Sequence, residues 1–189
     1  MRIGLYFGSF NPVHVGHLII ASYARHAGNF QQVWFVVSPQ NPLKNPNSLL
    51  NEYDRLHLVN TAIANDPFLK TCDIEFYLPK PSYTVHTLAY LQEKYPQHDF
   101  GIILGSDSLQ NLPQWKNYET ILSKYAICVF KRRGFEVKEY EGASITIIDA
   151  PLLEISSTQV RQMIQKNMSI RYMVTEAVAN DIEQNRHYK

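Results

Sequence analysis

Apolar residues in this chain fall in short clusters separated by longer segments of helical period. Ile3 to Phe7, Val33 to Val37, Phe100 to Leu104, Tyr125 to Phe130 and Ile145 to Ile148 are runs rich in β-branched and aromatic residues, bounded by Gly, Pro, Ser or Asp. Such runs predict strands buried on both faces. Thr71 to Tyr77 is a sixth candidate. Between them, Gly16 to Ala27, Glu52 to Ala64, Thr84 to Lys94 and Gln159 to Lys166 read as helices, and Thr175 to Gln184 closes the chain as another. Strand and helix alternate with no repeat or low-complexity break, so a single domain over residues 1–189 is expected, with a doubly wound parallel α/β sheet. Ligands of such sheets bind beyond the carboxyl ends of the strands, where strand order reverses. The loops after Phe7, Val37, Leu104 and Phe130 are therefore where chemistry is to be sought.

Composition narrows the classes. With 189 residues and 45% hydrophobic positions, roughly 70% of the unfolded surface can be buried without disulfide or metal support. Lys plus Arg number 18 and Asp plus Glu 17, a net charge of +1, so no broad nucleic-acid footprint exists and any anion must be bound locally. Cys72 and Cys128 sit in apolar stretches outside any CxxC or Cys/His cluster, which fits a reducing, cytoplasmic compartment. The opening residues lack the pattern of a signal peptide, and no apolar run approaches the ~18 residues of a membrane span.

The stretch after the first predicted strand carries the most chemistry: Gly8-Ser9-Phe10-Asn11-Pro12-Val13-His14-Val15-Gly16-His17, then Leu18-Ile19-Ile20-Ala21. Gly8 permits close approach or positive φ where the strand turns, Pro12 stiffens the loop, and the helix that follows presents unpaired N–H groups and a positive dipole end. The spacing is neither GxGxxG nor a P-loop. It offers two imidazoles instead. In a helical turn His14 and His17 would share one face and could both donate to one phosphate as negative charge grows on its oxygens. The alternatives are a packed or surface histidine, or two ligands of a metal, for which no third Cys, His or carboxylate stands nearby in sequence. Phe10 and Val13 read as packing residues.

A second constellation, Glu154-Ile155-Ser156-Ser157-Thr158-Gln159-Val160-Arg161, leads into the helix with Met163 and Ile164. Ser157 or Thr158 is suited to N-cap that helix, with Arg161 about one turn inside. Read structurally this is a capped helix; read functionally, hydroxyls, helix N–H groups and a bidentate arginine would hold two phosphates of a triphosphate.

Together, Gly8-x-Phe10-x-Pro12-x-His14-x-Gly16-His17 and Ile155-Ser156-x-Thr158-x-x-Arg161, about 140 residues apart, resemble the two signatures of the nucleotidyltransferase superfamily related to class I aminoacyl-tRNA synthetases. Within it the chain looks like the bacterial nicotinate-nucleotide adenylyltransferases. Pro81-Ser82-Tyr83-Thr84, Gly105-Ser106-Asp107-Ser108-Leu109, Pro113-x-Trp115-x-x-Tyr118-Glu119-x-Ile121-Leu122 and Lys131-Arg132 match as well, so the resemblance spans nearly the whole chain. It implies a Rossmann-like sheet of the nucleotidyltransferase type. It also implies transfer of the adenylyl group of ATP to nicotinate mononucleotide, with Mg²⁺ on the ATP phosphates and no metal ligand from the protein.

By the same resemblance, His14, His17, Lys44 and Arg161 are the expected catalytic residues. Gly8, Ser9, Phe10, Gly105, Asp107, Arg132, Ile155, Ser156 and Thr158 join His14, His17 and Arg161 around ATP. Ser9, Lys44, Tyr83, Thr84 and Trp115 are expected around the mononucleotide, Trp115 offering a flat face to the pyridine ring. By type alone, Trp115 would be a core residue, Asp107 an N-cap and Lys131-Arg132-Arg133 a solvated turn. The chain departs from the family at Pro42-Leu43-Lys44, where many members carry histidine before the basic residue. Nothing is carried onto Arg133, where relatives often have proline. The implied partners are small molecules, neither nucleic acid nor membrane, with homo-oligomerisation left open. A nicotinamide- or phosphopantetheine-directed adenylyltransferase and a non-catalytic nucleotide sensor are the competing readings, and Ser38 to Leu50, rich in Pro and Asn, is a candidate lid.

Overall fold

The computed structural model describes residues 1–40 and 49–189. Six strands form one all-parallel sheet: β1 (Arg2–Gly8), β2 (Gln32–Val37), β3 (Leu69–Cys72), β4 (Asp99–Gly105), β5 (Ile127–Phe130) and β6 (Ile145–Ile148), in the order β3-β2-β1-β4-β5-β6. The helices are α1 (Val15–Ala27), α2 (Glu52–Ile63), α3 (Thr84–Lys94), α4 (Ser106–Gln110), α5 (Tyr118–Lys124), α6 (Ser157–Gln165) and α7 (Glu176–Gln184). The expected doubly wound sheet is present. Its order reverses between β1 and β4, the neighbours at its centre.

Period-two alternation divides each strand between two apolar layers. Val33, Phe35, Val37, Ile103, Cys128 and Phe130 face α1, α2, α6 and α7, meeting Ala21, Leu58, Val160 and Val178. Ile3, Leu5, Val36, Ile102, Leu104, Ile127 and Val129 face α3, α4 and α5, meeting Leu88, Leu91, Leu109 and Ile121. The inner strands are covered on both faces, and this is why they appear in sequence as unbroken apolar runs, while the edge strands β3 and β6 expose Lys70, Thr146 and Ile147.

Two local expectations need correction. The sixth candidate strand, Thr71 to Tyr77, is shorter and earlier: β3 ends at Cys72, and Ile74–Tyr77 wind into a 3₁₀ turn that buries Ile74 and Glu75. The apolar spacing of Ile74 and Phe76 mimicked a strand, whereas the chain turns there to bring Glu75 to the Thr87 hydroxyl, which donates to Glu75 Oε1 at 2.9 Å. Of the short helices, α4 was foreshadowed only by the reading of Asp107 as an N-cap and α5 by nothing, because one or two turns show too little periodicity to read. Among the described residues no helix is long and apolar enough to cross a membrane.

Candidate active site

At the carboxyl end of β1 the chain turns sharply at Phe10, a non-glycine residue at φ 44°. The Phe10 ring folds back under the loop and is 2% exposed, edge-on to Tyr6 and 5.0 Å from the ring of His17. A Cβ on Gly8 would lie 2.7 Å from that ring. The glycine therefore accommodates Phe10, and the positive φ falls on Phe10 itself. Phe10 and Val13 both pack in the core, as expected.

His14 occupies the N-cap of α1 and His17 its third helical position. Their rings stack at 3.7 Å and 24°, and the His14 N–H donates to His17 Nδ1 at 3.2 Å. That bond leaves Nε2 as the protonated nitrogen of neutral His17. His14 is buried, and burial first, then the positive charge of Arg132, lowers its pKa to about 4. At neutral pH it is an uncharged imidazole. A Cβ on Gly16 would sit 3.0 Å from His14 Nδ1, so a glycine here keeps the imidazole seated against the first turn of α1.

The second motif closes over the first. Ser156 is the N-cap of α6 and accepts from the Gln159 N–H at 3.2 Å. Sequence reasoning had given that role to Ser157 or Thr158; Ser157 instead donates its hydroxyl to the Pro12 carbonyl at 2.9 Å. Arg161 Nη1 donates to the Asn11 carbonyl at 2.7 Å and Nη2 to Thr158 Oγ1 at 3.2 Å. Residues about 150 positions apart are thereby locked together, and the amino end of α6 is held against the loop that carries the histidines.

At the switch point, Gly105 is the N-cap of α4, and Asp107 lies in the first helical turn rather than at the cap. A side chain on Gly105 would collide with Asp107 Oδ1, so the carboxylate can lie back over the strand end only because position 105 is glycine. Arg132 Nε stands 3.8 Å from Asp107 Oδ1, and its guanidinium lies 5.2 Å from the Phe130 ring centroid. Arg133 turns outward to an ion pair with Glu154 at 2.7 Å.

These groups line one cleft of about 780 Å³ at the ends of β1 and β4. Gly8, Ser9, Phe10, His14, His17, Gly105, Asp107, Arg132, Ser156, Thr158 and Arg161 border it, and so do Tyr83, Thr84 and Trp115. Ile155 lines a small adjoining recess with His14, His17 and Arg132. Trp115 is half-buried, one edge packed on the second apolar layer. Lys44, and with it most of the Ser38 to Leu50 stretch, lies outside the described residues. Among those residues, no three of His, Cys, Asp and Glu gather so as to hold a metal ion.

Several lining residues escaped sequence reasoning. Asn11 holds both Arg161, through its carbonyl, and the Leu50 N–H, through Oδ1 at 3.1 Å. Lys116 Nζ lies 5.0 Å from the Tyr83 ring centroid and adds a cation beside Trp115. Glu75 and Ser82, both buried, border the same end. Burial raises the Glu75 pKa, opposed by the hydroxyls of Thr87, Ser38 and Ser82. Asn11 and Ser82 lie inside stretches the sequence singles out, the Asn-Pro turn at 11–12 and Pro81-Ser82-Tyr83-Thr84, and Lys116 follows Trp115; Glu75 carries no such signal.

Comparison with known proteins gives the family and the fold. The cytidylyltransferase-like family model matches residues 5–163. The chain is 48% identical to the probable nicotinate-nucleotide adenylyltransferase of Cytophaga hutchinsonii, over 100% of this chain and 98% of that protein. It is 47% identical to that of Flavobacterium psychrophilum, over the full length of both. Its fold is similar to that of Plasmodium falciparum nicotinic acid mononucleotide adenylyltransferase complexed with NaAD, with a TM-score of 0.82 at 20% identity, covering 99% and 97% of the two chains.

Proposed function

The chain belongs to the cytidylyltransferase-like family and, within it, to the nicotinate-nucleotide adenylyltransferases, and on that premise we propose that it joins ATP to nicotinate mononucleotide in NAD biosynthesis. A phosphate oxygen of the mononucleotide attacks the α-phosphorus of ATP. The bond from that phosphorus to the bridging oxygen breaks, its electron pair leaves with pyrophosphate, and nicotinate adenine dinucleotide forms. No covalent enzyme intermediate is required, so the protein's task is to hold two anions in line and offset the charge that develops between them.

The observation that carries this reading is that His14, His17 and the amino end of α6 line the same cleft as Tyr83, Thr84 and Trp115. The first group suits phosphates: a neutral His14, His17 and the amino end of α6 would act as donors, with Arg161 and Arg132 as cations. The second group suits a pyridine ring, with the Trp115 indole to stack on and Lys116 to complement a carboxylate. Asp107 is suited to accept from ribose hydroxyls. Mg²⁺ enters as part of the substrate, on the ATP phosphates. Lys44 rests on the sequence resemblance alone. The free, buried Cys72 and Cys128 suit a reducing cytoplasm.

The test is pyrophosphate release from Mg²⁺-ATP with nicotinate mononucleotide, nicotinamide mononucleotide or phosphopantetheine as acceptor. Rapid release with the first and slow release with the others is the expected result. Release only with phosphopantetheine overturns the acceptor, and ATP binding without turnover on any of the three overturns the enzyme in favour of a sensor.

A further inference from the structure

Arg55 is the largest fully buried side chain of the described residues, 0% exposed, and takes no part in the reaction outlined above. It sits on α2, a helix that supplies no residue to the cleft lining. Among the described residues its guanidinium donates to main-chain carbonyls: Nε to Leu50 at 2.8 Å, Nη1 to Ser9 at 2.6 Å and to Ser38 at 2.7 Å, and Nη2 to Pro39 at 3.2 Å. Ser9 lies in the loop that leads to His14 and His17, whereas Ser38 and Pro39 follow β2 into the segment whose Gln40 carbonyl accepts from the Ser82 N–H, beside Tyr83. One rigid fork therefore spans two of the loops that border the cleft. The contact also continues to Arg161: the Leu50 N–H donates to Asn11 Oδ1 at 3.1 Å, and the Asn11 carbonyl accepts from Arg161 at 2.7 Å.

Taking a guanidinium out of water is costly, and burial lowers the Arg55 pKa. If fold stability were the only need, an apolar side chain of similar size would fill the space, but it would leave two buried and two half-buried carbonyls without this donor and their relative positions free to vary. A planar group with five N–H donors at fixed angles sets those positions.

We infer that Arg55 is a positioning residue for adenylyl transfer, fixing the loop after β1 against the end of β2 and, through Leu50 and Asn11, against Arg161. The inference rests on the reaction proposed above, so wild-type turnover is measured first and tests that reaction by itself. The variant is then Arg55→Lys, which keeps the charge but has a single donor centre that cannot span four carbonyls. Folding is checked by circular dichroism and thermal unfolding. In the folded variant, kcat at saturating ATP and nicotinate mononucleotide is expected to fall about 10- to 100-fold, the scale of a misalignment of reacting groups, while both KM values stay within about fivefold. A purely structural role would lower the thermal midpoint and leave kcat per folded molecule unchanged. A folded variant with kcat within about threefold of wild type therefore overturns the inference. Should Arg55→Lys not fold, Arg55→Gln, with a planar amide and two donors, is read against the same thresholds.

Discussion

Lowering the pH from 7 to 5 should destabilise this protein in a way that reports on one side chain. His14 is 6% exposed, and desolvation together with the charge of Arg132 holds its pKa near 4, against 6.5 when solvated. Between those values the unfolded chain binds a proton that the folded chain refuses, so the unfolded state carries more protons and stability falls as pH falls. The full loss, reached below pH 4, is about 3 kcal/mol for a shift from 6.5 to about 4. At pH 5 the unfolded form is almost fully protonated and the folded form scarcely so, giving about 2 kcal/mol. The assay is urea unfolding of wild type and His14→Gln at pH 7 and pH 5. Groups other than His14 titrate in both proteins and cancel in the difference. Wild type should lose about 2 kcal/mol more than the variant between the two pH values. Equal losses would show that His14 titrates as a solvated histidine, and would refute its assignment as a neutral donor.

Three further outcomes are expected. His17→Ala removes a side chain that the proposed reaction sets at the ATP phosphates, so kcat should fall roughly a hundredfold with a smaller change in KM for ATP, measured by pyrophosphate release. Trp115→Ala removes the stacking face, and the KM for nicotinate mononucleotide should rise by the roughly 5- to 150-fold that corresponds to about 1 to 3 kcal/mol, with the KM for ATP little changed. Tyr188→Phe deletes a buried hydroxyl that has no hydrogen-bond partner among the described residues; thermal unfolding should show a change within about 0.5 kcal/mol of wild type or a slight gain, because an unpaired buried group contributes only its desolvation cost.

The cleft was partly legible in advance because its two motifs are local. Strand, turn and helix follow one another within residues 1–27, so the placement of His14 and His17 at a helix start follows from short-range order. Ser156 to Arg161 likewise announce a helix start, although which residue caps it was misread. The hydroxyl of Ser157 is diverted to Pro12, a partner 145 residues away that no local pattern reveals. Glu75 and Arg55 were missed for the same reason: each is polar, looks solvated by type, and is buried only because several distant loops converge on it.

By itself the sequence determined the alternation of strand and helix, the parallel sheet with both faces of its inner strands covered, and the residue types at the strand ends, since these follow from side-chain period, backbone preference and caps acting over a few residues. Tertiary structure alone decided that β1 and β4 are neighbours, that α6 lies across the first loop, and that His14 is uncharged. Strand order, long-range hydrogen bonds and desolvation depend on which segments pack together, and packing is a property of the whole folded chain.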